Sequence, residues 1–162
     1  MPQIPCWKGS RGEWYVLVQF ALFVLLVFGP RNRAGWPVWV FPYTLLGTFG
    51  GGVLLLSGGV LAVVGLWALG ENLTVLPQPK AQARLVETGP YRFVRHPVYS
   101  GVLGMAFGWA FWVHGGLTIA YAFILLVFLD LKSRREEQWL EEKFSGYAAY
   151  RQRVCKLLPF VY

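Results

Sequence analysis

The chain has 162 residues, of which 56% are hydrophobic, 17% aromatic and only 14% charged, with a formal net charge of +7. Long runs without charge exclude an ordinary soluble domain, and no Ser/Pro/Gly-rich linker divides the chain, so it reads as one membrane-embedded domain. The basic residues sit in short loops and a tail beside apolar runs, which points to positive-inside bias and a lipid bilayer, and away from nucleic acid. Cys6 and Cys155 have neither metal spacing nor a pairing signal and read as free thiols.

Residues 1–13 are polar, and Trp14 to Phe28 is an uncharged run rich in Val, Leu and Phe. Gly29-Pro30-Arg31-Asn32-Arg33 closes it as the stop of a retained first span, since no small-residue cleavage pattern follows. Trp36 to Tyr43 holds two prolines and four aromatics in eight residues and reads as an interfacial loop.

Tyr43 to Gly70 is 28 residues without charge. As one helix it spans about 42 Å against a hydrocarbon core of about 30 Å, so it tilts, bends or starts outside the core. Gly50-Gly51-Gly52 is the expected place for a bend. Gly47 with Gly51, and Gly58 with Ala62, form small-residue stripes that let a second backbone approach.

Residues 71–96 carry Lys80, Arg84, Arg92 and Arg95 together with three prolines and read as a loop on one membrane face. Next come Val98 to Val113 and Leu117 to Leu129, separated by His114-Gly115-Gly116. At 16 and 13 residues each is short of the ~20 that a crossing needs, and around a glycine turn they read as a helical hairpin. The hairpin tip has no Lys or Arg, whereas the tail after Leu129 has seven, so the loop 71–96 and the tail share the cytosolic face. Gly101, Gly104 and Gly108 lie along one helix face and suit close helix packing.

After Asp130 the pattern turns amphipathic. Glu136, Leu140, Phe144 and Tyr147 follow at four, four and three residues and share a stripe, while Glu137 lies about 100° around the helix. An acid on an apolar stripe is the stronger site candidate, so Glu136 ranks above Glu137; an ion pair of Glu136 with Lys132 four residues earlier is the plain alternative. Together the elements predict an all-α integral membrane fold, a bundle of about four to five transmembrane helices with a C-terminal helical hairpin and an amphipathic tail helix.

Chemistry concentrates in Gly89 to Gly101, where two arginines, a histidine and two tyrosines stand at a membrane entry, a costly placement that tends to serve function. No His or Cys pair has ligand spacing, and neither a Ser-His-Asp pattern nor a phosphate loop is present, so a metal site is not expected. His114, at the hairpin tip, lies on the opposite side.

Gly89-Pro90-Tyr91, Arg95-His96-Pro97-Val98-Tyr99 and Gly101, followed by Glu136-Glu137, Phe144, Tyr147, Tyr150, Val154 and Pro159-Phe160, resemble the C-terminal half of the isoprenylcysteine carboxyl methyltransferase family and its phospholipid methyltransferase relatives. The resemblance covers roughly residues 76–160 and nothing before them. It implies a single membrane-embedded methyltransferase domain over residues 1–162, with N-terminal spans in 1–70 and a cofactor-binding half in 71–162. It implies S-adenosyl-L-methionine as cofactor, held without a Rossmann fold by Arg84, Leu85, Val86, Tyr91, His96, Pro97, Val98, Tyr99 and Glu136 in a pocket facing the cytosol. His96, Arg95 and Lys132 are its catalytic candidates; Lys132 stands where family members often place a substrate-contacting arginine.

The implied reaction is methyl transfer to a lipophilic or prenylated acceptor that partitions into the membrane, foremost carboxyl O-methylation of an isoprenylcysteine-like substrate. No obligate protein partner is implied. A carboxylate acceptor needs no base, which suits a site poor in bases. Phospholipid N-methylation and thiol S-methylation are alternatives. An NADPH-dependent sterol-type reductase shares an Arg-His-Pro-x-Tyr segment, although this chain has Val98 where that group has Asn. A non-catalytic membrane adaptor is the remaining alternative.

Overall fold

A computed structural model describes residues 13–74 and 82–158. Cys6, Lys80, Pro159 and Phe160, singled out above, lie outside the described residues. Five α-helices follow in order: α1 (Glu13–Phe28), α2 (Tyr43–Leu69), α3 (Pro97–Trp112), α4 (Gly116–Lys143) and α5 (Tyr147–Arg153). Short 3-10 turns cover Gly70–Asn72 and Gly89–Arg92. Among the described residues there are no strands, only an isolated bridge between Val94 and Cys155.

The all-α expectation holds. Two stretches, Tyr43–Asn72 and Gly116–Lys143, are long and apolar enough to cross a membrane, while α1 and α3 have 16 residues each. At about 1.5 Å per residue those two reach only about 24 Å. Large apolar side chains of α2 point outward, Phe49 at 71% and Trp67 at 84% exposure. An apolar surface of that extent belongs in hydrocarbon.

Helix α2 runs unbroken through Gly50-Gly51-Gly52, and Gly51 and Gly52 serve packing against α3. A Cβ on Gly101 would lie 2.5 Å from both the Gly58 carbonyl oxygen and the Ala62 nitrogen, and one on Gly108 would lie 2.5 Å from the Leu55 nitrogen. The α2 backbone therefore comes close to α3 where α3 carries glycine, the small-residue packing read from the sequence. On the other side α3 packs against α4, and α4 against α1, around Leu26, Leu103, Ala106, Leu125 and Leu129.

Proline starts α3 at its first position, where a missing N–H costs nothing. The hairpin turn follows at residues 113–115, with His114 at φ +51°. His114 Nε2 lies 2.9 Å from the Thr44 carbonyl and 3.2 Å from Thr48 Oγ1, while Asn32 accepts from the Gly116 amide at 2.7 Å. These bonds tie the hairpin tip to α2 and to the first loop, far from the cluster at the other end. Beyond the turn, residues 117–143 contain neither Gly nor Pro, and α4 stays one helix. The amphipathic tail helix expected after Asp130 is thus the last part of α4, and only α5 is separate.

Candidate active site

The segment 89–96 is built as a wall by what the C-terminal tail does to it. The Arg95 amide donates to the Cys155 carbonyl at 2.8 Å, and the His96 amide to the Lys156 carbonyl at 3.1 Å. The Tyr150 hydroxyl donates to the Tyr91 carbonyl at 2.7 Å, and Ser100 Oγ to the Leu157 carbonyl. Lys156, buried, donates to the Asp130 carboxylate at the polar turn of α4. Loop, tail and α4 become one unit because each supplies partners for backbone groups the others leave open.

Arg95 bolts this unit together. Its Nε donates to Glu137 Oε1 at 2.8 Å, and its Nη1 donates to the carbonyls of Arg151 (3.0 Å) and Val154. Both side chains are enclosed, Arg95 at 9% and Glu137 at 6% exposure.

Above the wall lies a cavity of about 180 Å³. Of the residues expected there, Arg84, Leu85, Val86, Tyr91, Arg95, His96, Val98, Tyr99 and Glu136 line it. Pro97 is buried beneath, at the start of α3, and is not among the lining residues. Lys132 is not among them either: its ammonium lies 2.8 Å from Gln19 Oε1 and 5.2 Å from the centre of the Tyr99 ring. The close partner of the ammonium is Gln19, and Glu136 acts on it through charge without a direct ion pair.

The stripe Glu136, Leu140, Phe144 and Tyr147 faces the cavity although α4 ends at Lys143. Sequence reasoning assigned Leu66, Leu69 and Asn72 of the α2 end, and Tyr150, no place in it. Asn72 is informative, since its Oδ1 accepts the Arg84 amide at 2.8 Å and so sets the strand-like roof 83–86 against α2. Only tertiary placement reveals that contact.

Glu136 and Glu137 straddle His96. The ring Nδ1 is 3.6 Å from Glu136 Oε2, and Nε2 is 3.2 Å from Glu137 Oε1. The imidazole stacks on Tyr99 with centroids 5.4 Å apart and planes 5° from parallel, and the Tyr99 hydroxyl donates to Glu136 Oε1. Burial holds the phenols of Tyr91, Tyr147 and Tyr150 well above the usual tyrosine range, so they remain neutral donors. The cavity thus presents one carboxylate, a histidine, two arginines and four tyrosine rings among Leu and Val side chains, with the Arg95 guanidinium taken up by Glu137 and the tail carbonyls. An organic cation carrying a flat ring suits that donor set, through charge and ring faces. Among the described residues no cluster of three or more His, Cys, Asp or Glu is arranged for a metal.

Residues 46–146, more than half of the chain, match the family model described as phospholipid methyltransferase. The chain belongs to the phospholipid methyltransferase family. This family match begins within α2, earlier than the region of resemblance read from motifs. Protein-S-isoprenylcysteine O-methyltransferase of Saccharomyces cerevisiae is 30% identical over 129 residues, 75% of this chain and 54% of the relative. The cobalt-zinc-cadmium resistance protein CzcN of Cupriavidus metallidurans is 32% identical over 154 residues, 91% of this chain and 62% of the relative. The solved structure of the eukaryotic intramembrane Ras methyltransferase ICMT, isoprenylcysteine carboxyl methyltransferase, superposes with a TM-score of 0.67 at 24% identity, over 92% of this chain and 52% of that one. That likeness shows a shared fold. The chain spans about half the length of the yeast relative and of the solved structure. The resemblance to isoprenylcysteine carboxyl methyltransferases among phospholipid methyltransferase family members is borne out.

Proposed function

We propose that this chain is a membrane methyltransferase that binds S-adenosyl-L-methionine in the cavity lined by the loop 83–96. The observation that carries the reading is Glu136, a carboxylate at the wall of an apolar, tyrosine-lined cavity, held by Tyr99 and beside His96. A cation with a flat ring fits that donor set, and relatives of this chain bear methyltransferase names. The sulfonium cofactor supplies a methyl group already activated for transfer. Glu136 and the rings of Tyr91, Tyr99 and Tyr147 would hold it, with Arg84, Leu85, Val86, His96 and Val98 completing the walls.

The protein's own contribution is enclosure and alignment. Loop, tail and α4 line the cavity together with the α2 end, and the apolar side chains of Leu66, Leu69 and Leu140 disfavour water in it. His96 is fixed by two carboxylates and a stacked ring, so it sets the shape of the wall. We assign the acceptor as an isoprenylcysteine-like carboxylate, entering from the bilayer. A carboxylate is already ionised at neutral pH, so no residue has to take its proton. The charge pattern supports a cavity on the cytosolic side, since the tail holds seven Lys or Arg and the hairpin tip none.

A labelled-methyl transfer assay with purified protein tests this over S-prenylcysteine, phosphatidylethanolamine, fatty-acid and thiol acceptors. Base-labile label on the prenylcysteine, the signature of a methyl ester, is the expected result. Label confined to the lipid amine replaces the acceptor assignment with phospholipid N-methylation. Binding of NADPH without S-adenosylhomocysteine would replace the methyltransferase reading with the reductase.

A further inference from the structure

Gln19 interrupts the apolar run of α1, and its side-chain oxygen accepts from Lys132 Nζ at 2.8 Å. Lys132 is itself only 4% exposed, just past the point where α4 turns from apolar to polar. A buried ammonium among apolar helices is expensive and needs dedicated partners. Here they are the Gln19 amide and the face of the Tyr99 ring, 5.2 Å away, with the charge of Glu136 acting at longer range. Tyr99 in turn gives its hydroxyl to Glu136, the carboxylate on the cavity wall. Gln19, Lys132, Tyr99 and Glu136 therefore form a line from α1 across α4 and α3 into the cavity.

Each link constrains the next. The amide restricts where a long, rotatable lysine can place its charge. A cation over the ring face holds the ring through its quadrupole and draws electron density from the phenol, which makes the hydroxyl a better donor. A stronger, better aimed donor keeps the Glu136 carboxylate in one orientation.

We propose that Gln19 is a positioning residue of the cofactor pocket, which holds the Lys132 ammonium over Tyr99 and through Tyr99 orients Glu136. The inference rests on the reading of this cavity as a cofactor pocket, and it brings α1, which the motif resemblance left without a role, into the site.

Calorimetric titration of the full chain in detergent with S-adenosylhomocysteine tests it. Gln19→Leu is expected to weaken binding by about five-fold, while Gln19→Glu, which keeps an oxygen for the ammonium, stays within about two-fold of wild type. In a Tyr99→Phe background the same Gln19→Leu change is expected to cost less than about two-fold further, because the link it works through is already gone. Gln19→Asn, too short to reach the ammonium, carries the same prediction where Gln19→Leu does not fold. Equal losses with and without the Tyr99 hydroxyl, no loss at all, or failure of Gln19→Glu to restore binding would each overturn the positioning role while leaving the pocket standing. Absence of binding by the wild type would overturn the pocket and this inference together.

Discussion

Arg95 Nε donates to Glu137 Oε1 at 2.8 Å, in an enclosed pair that joins the loop before α3 to α4. The neighbouring acid, Glu136, faces the cavity. Two adjacent glutamates thus divide the labour: one holds the wall and one belongs to the pocket. The helical stripe ranks Glu137 below Glu136 as a site residue, and the structure adds its role in holding Arg95. Glu137→Ala leaves an enclosed guanidinium without its carboxylate and His96 with only Glu136, and should cost about 3 kcal/mol of stability. The measurement is a thermal unfolding midpoint in detergent; Gln138→Ala, on an exposed position of the same helix, should leave it unchanged.

Helix packing separates two glycines that look alike in sequence. A Cβ at Gly101 meets α2 backbone at 2.5 Å, whereas one at Gly50 meets nothing within 4 Å. Gly101→Val should force α2 and α3 apart and lower stability by about 1–3 kcal/mol. Gly50→Ala should be neutral or stabilising by up to about 1 kcal/mol, from helix propensity. Fractions of monodisperse protein in gel filtration and unfolding midpoints distinguish the two variants.

The tyrosines that line the cavity predict an alkaline limit. Burial is the main cause that raises the phenols of Tyr91, Tyr147 and Tyr150 above their ordinary value of 10.0. A raised value means that the folded state keeps these protons after the unfolded chain would lose them. Their contribution to stability is therefore fully present below about pH 10 and declines as pH rises beyond it. Tyrosinate absorbance, followed with unfolding, should show the phenols of Tyr91, Tyr147 and Tyr150 ionising only as the fold is lost.

The two histidines make a further contrast. His114 fastens the hairpin tip to Thr44 and Thr48, and His96 stands in the cavity wall between two carboxylates. His114→Ala should lower the unfolding midpoint yet leave turnover per folded molecule within about two-fold, while His96→Ala should remove turnover with a smaller effect on the midpoint. Labelled-methyl release normalised to folded protein reads both.

Much of this was legible in the residues. The hairpin followed from a charge-free glycine turn between two short apolar runs, and the packing role of Gly58, Ala62 and Gly101 from small-residue spacing. Glu136 stood out as an acid on an apolar stripe, and that stripe lines the cavity. What was hidden depended on partners remote in sequence: Glu137 meets Arg95 across 42 positions, and Lys132 meets Gln19 across 113. Helical phase places a side chain on a face without telling which neighbour will meet it. The continuity of α4 past Asp130 was hidden because a change from apolar to charged residues resembles a boundary, although no Gly or Pro breaks the helix there.

The central claim is that the cavity at Glu136 binds the methyl-donor cofactor. Calorimetric titration of S-adenosylhomocysteine into wild type and Glu136→Gln tests it most directly. Saturable binding by wild type, weakened by about ten-fold in the variant, or about 1.4 kcal/mol, with the unfolding midpoint of the unliganded protein unchanged, is the predicted result. Equal affinity in the two proteins, or no binding by wild type, would contradict it.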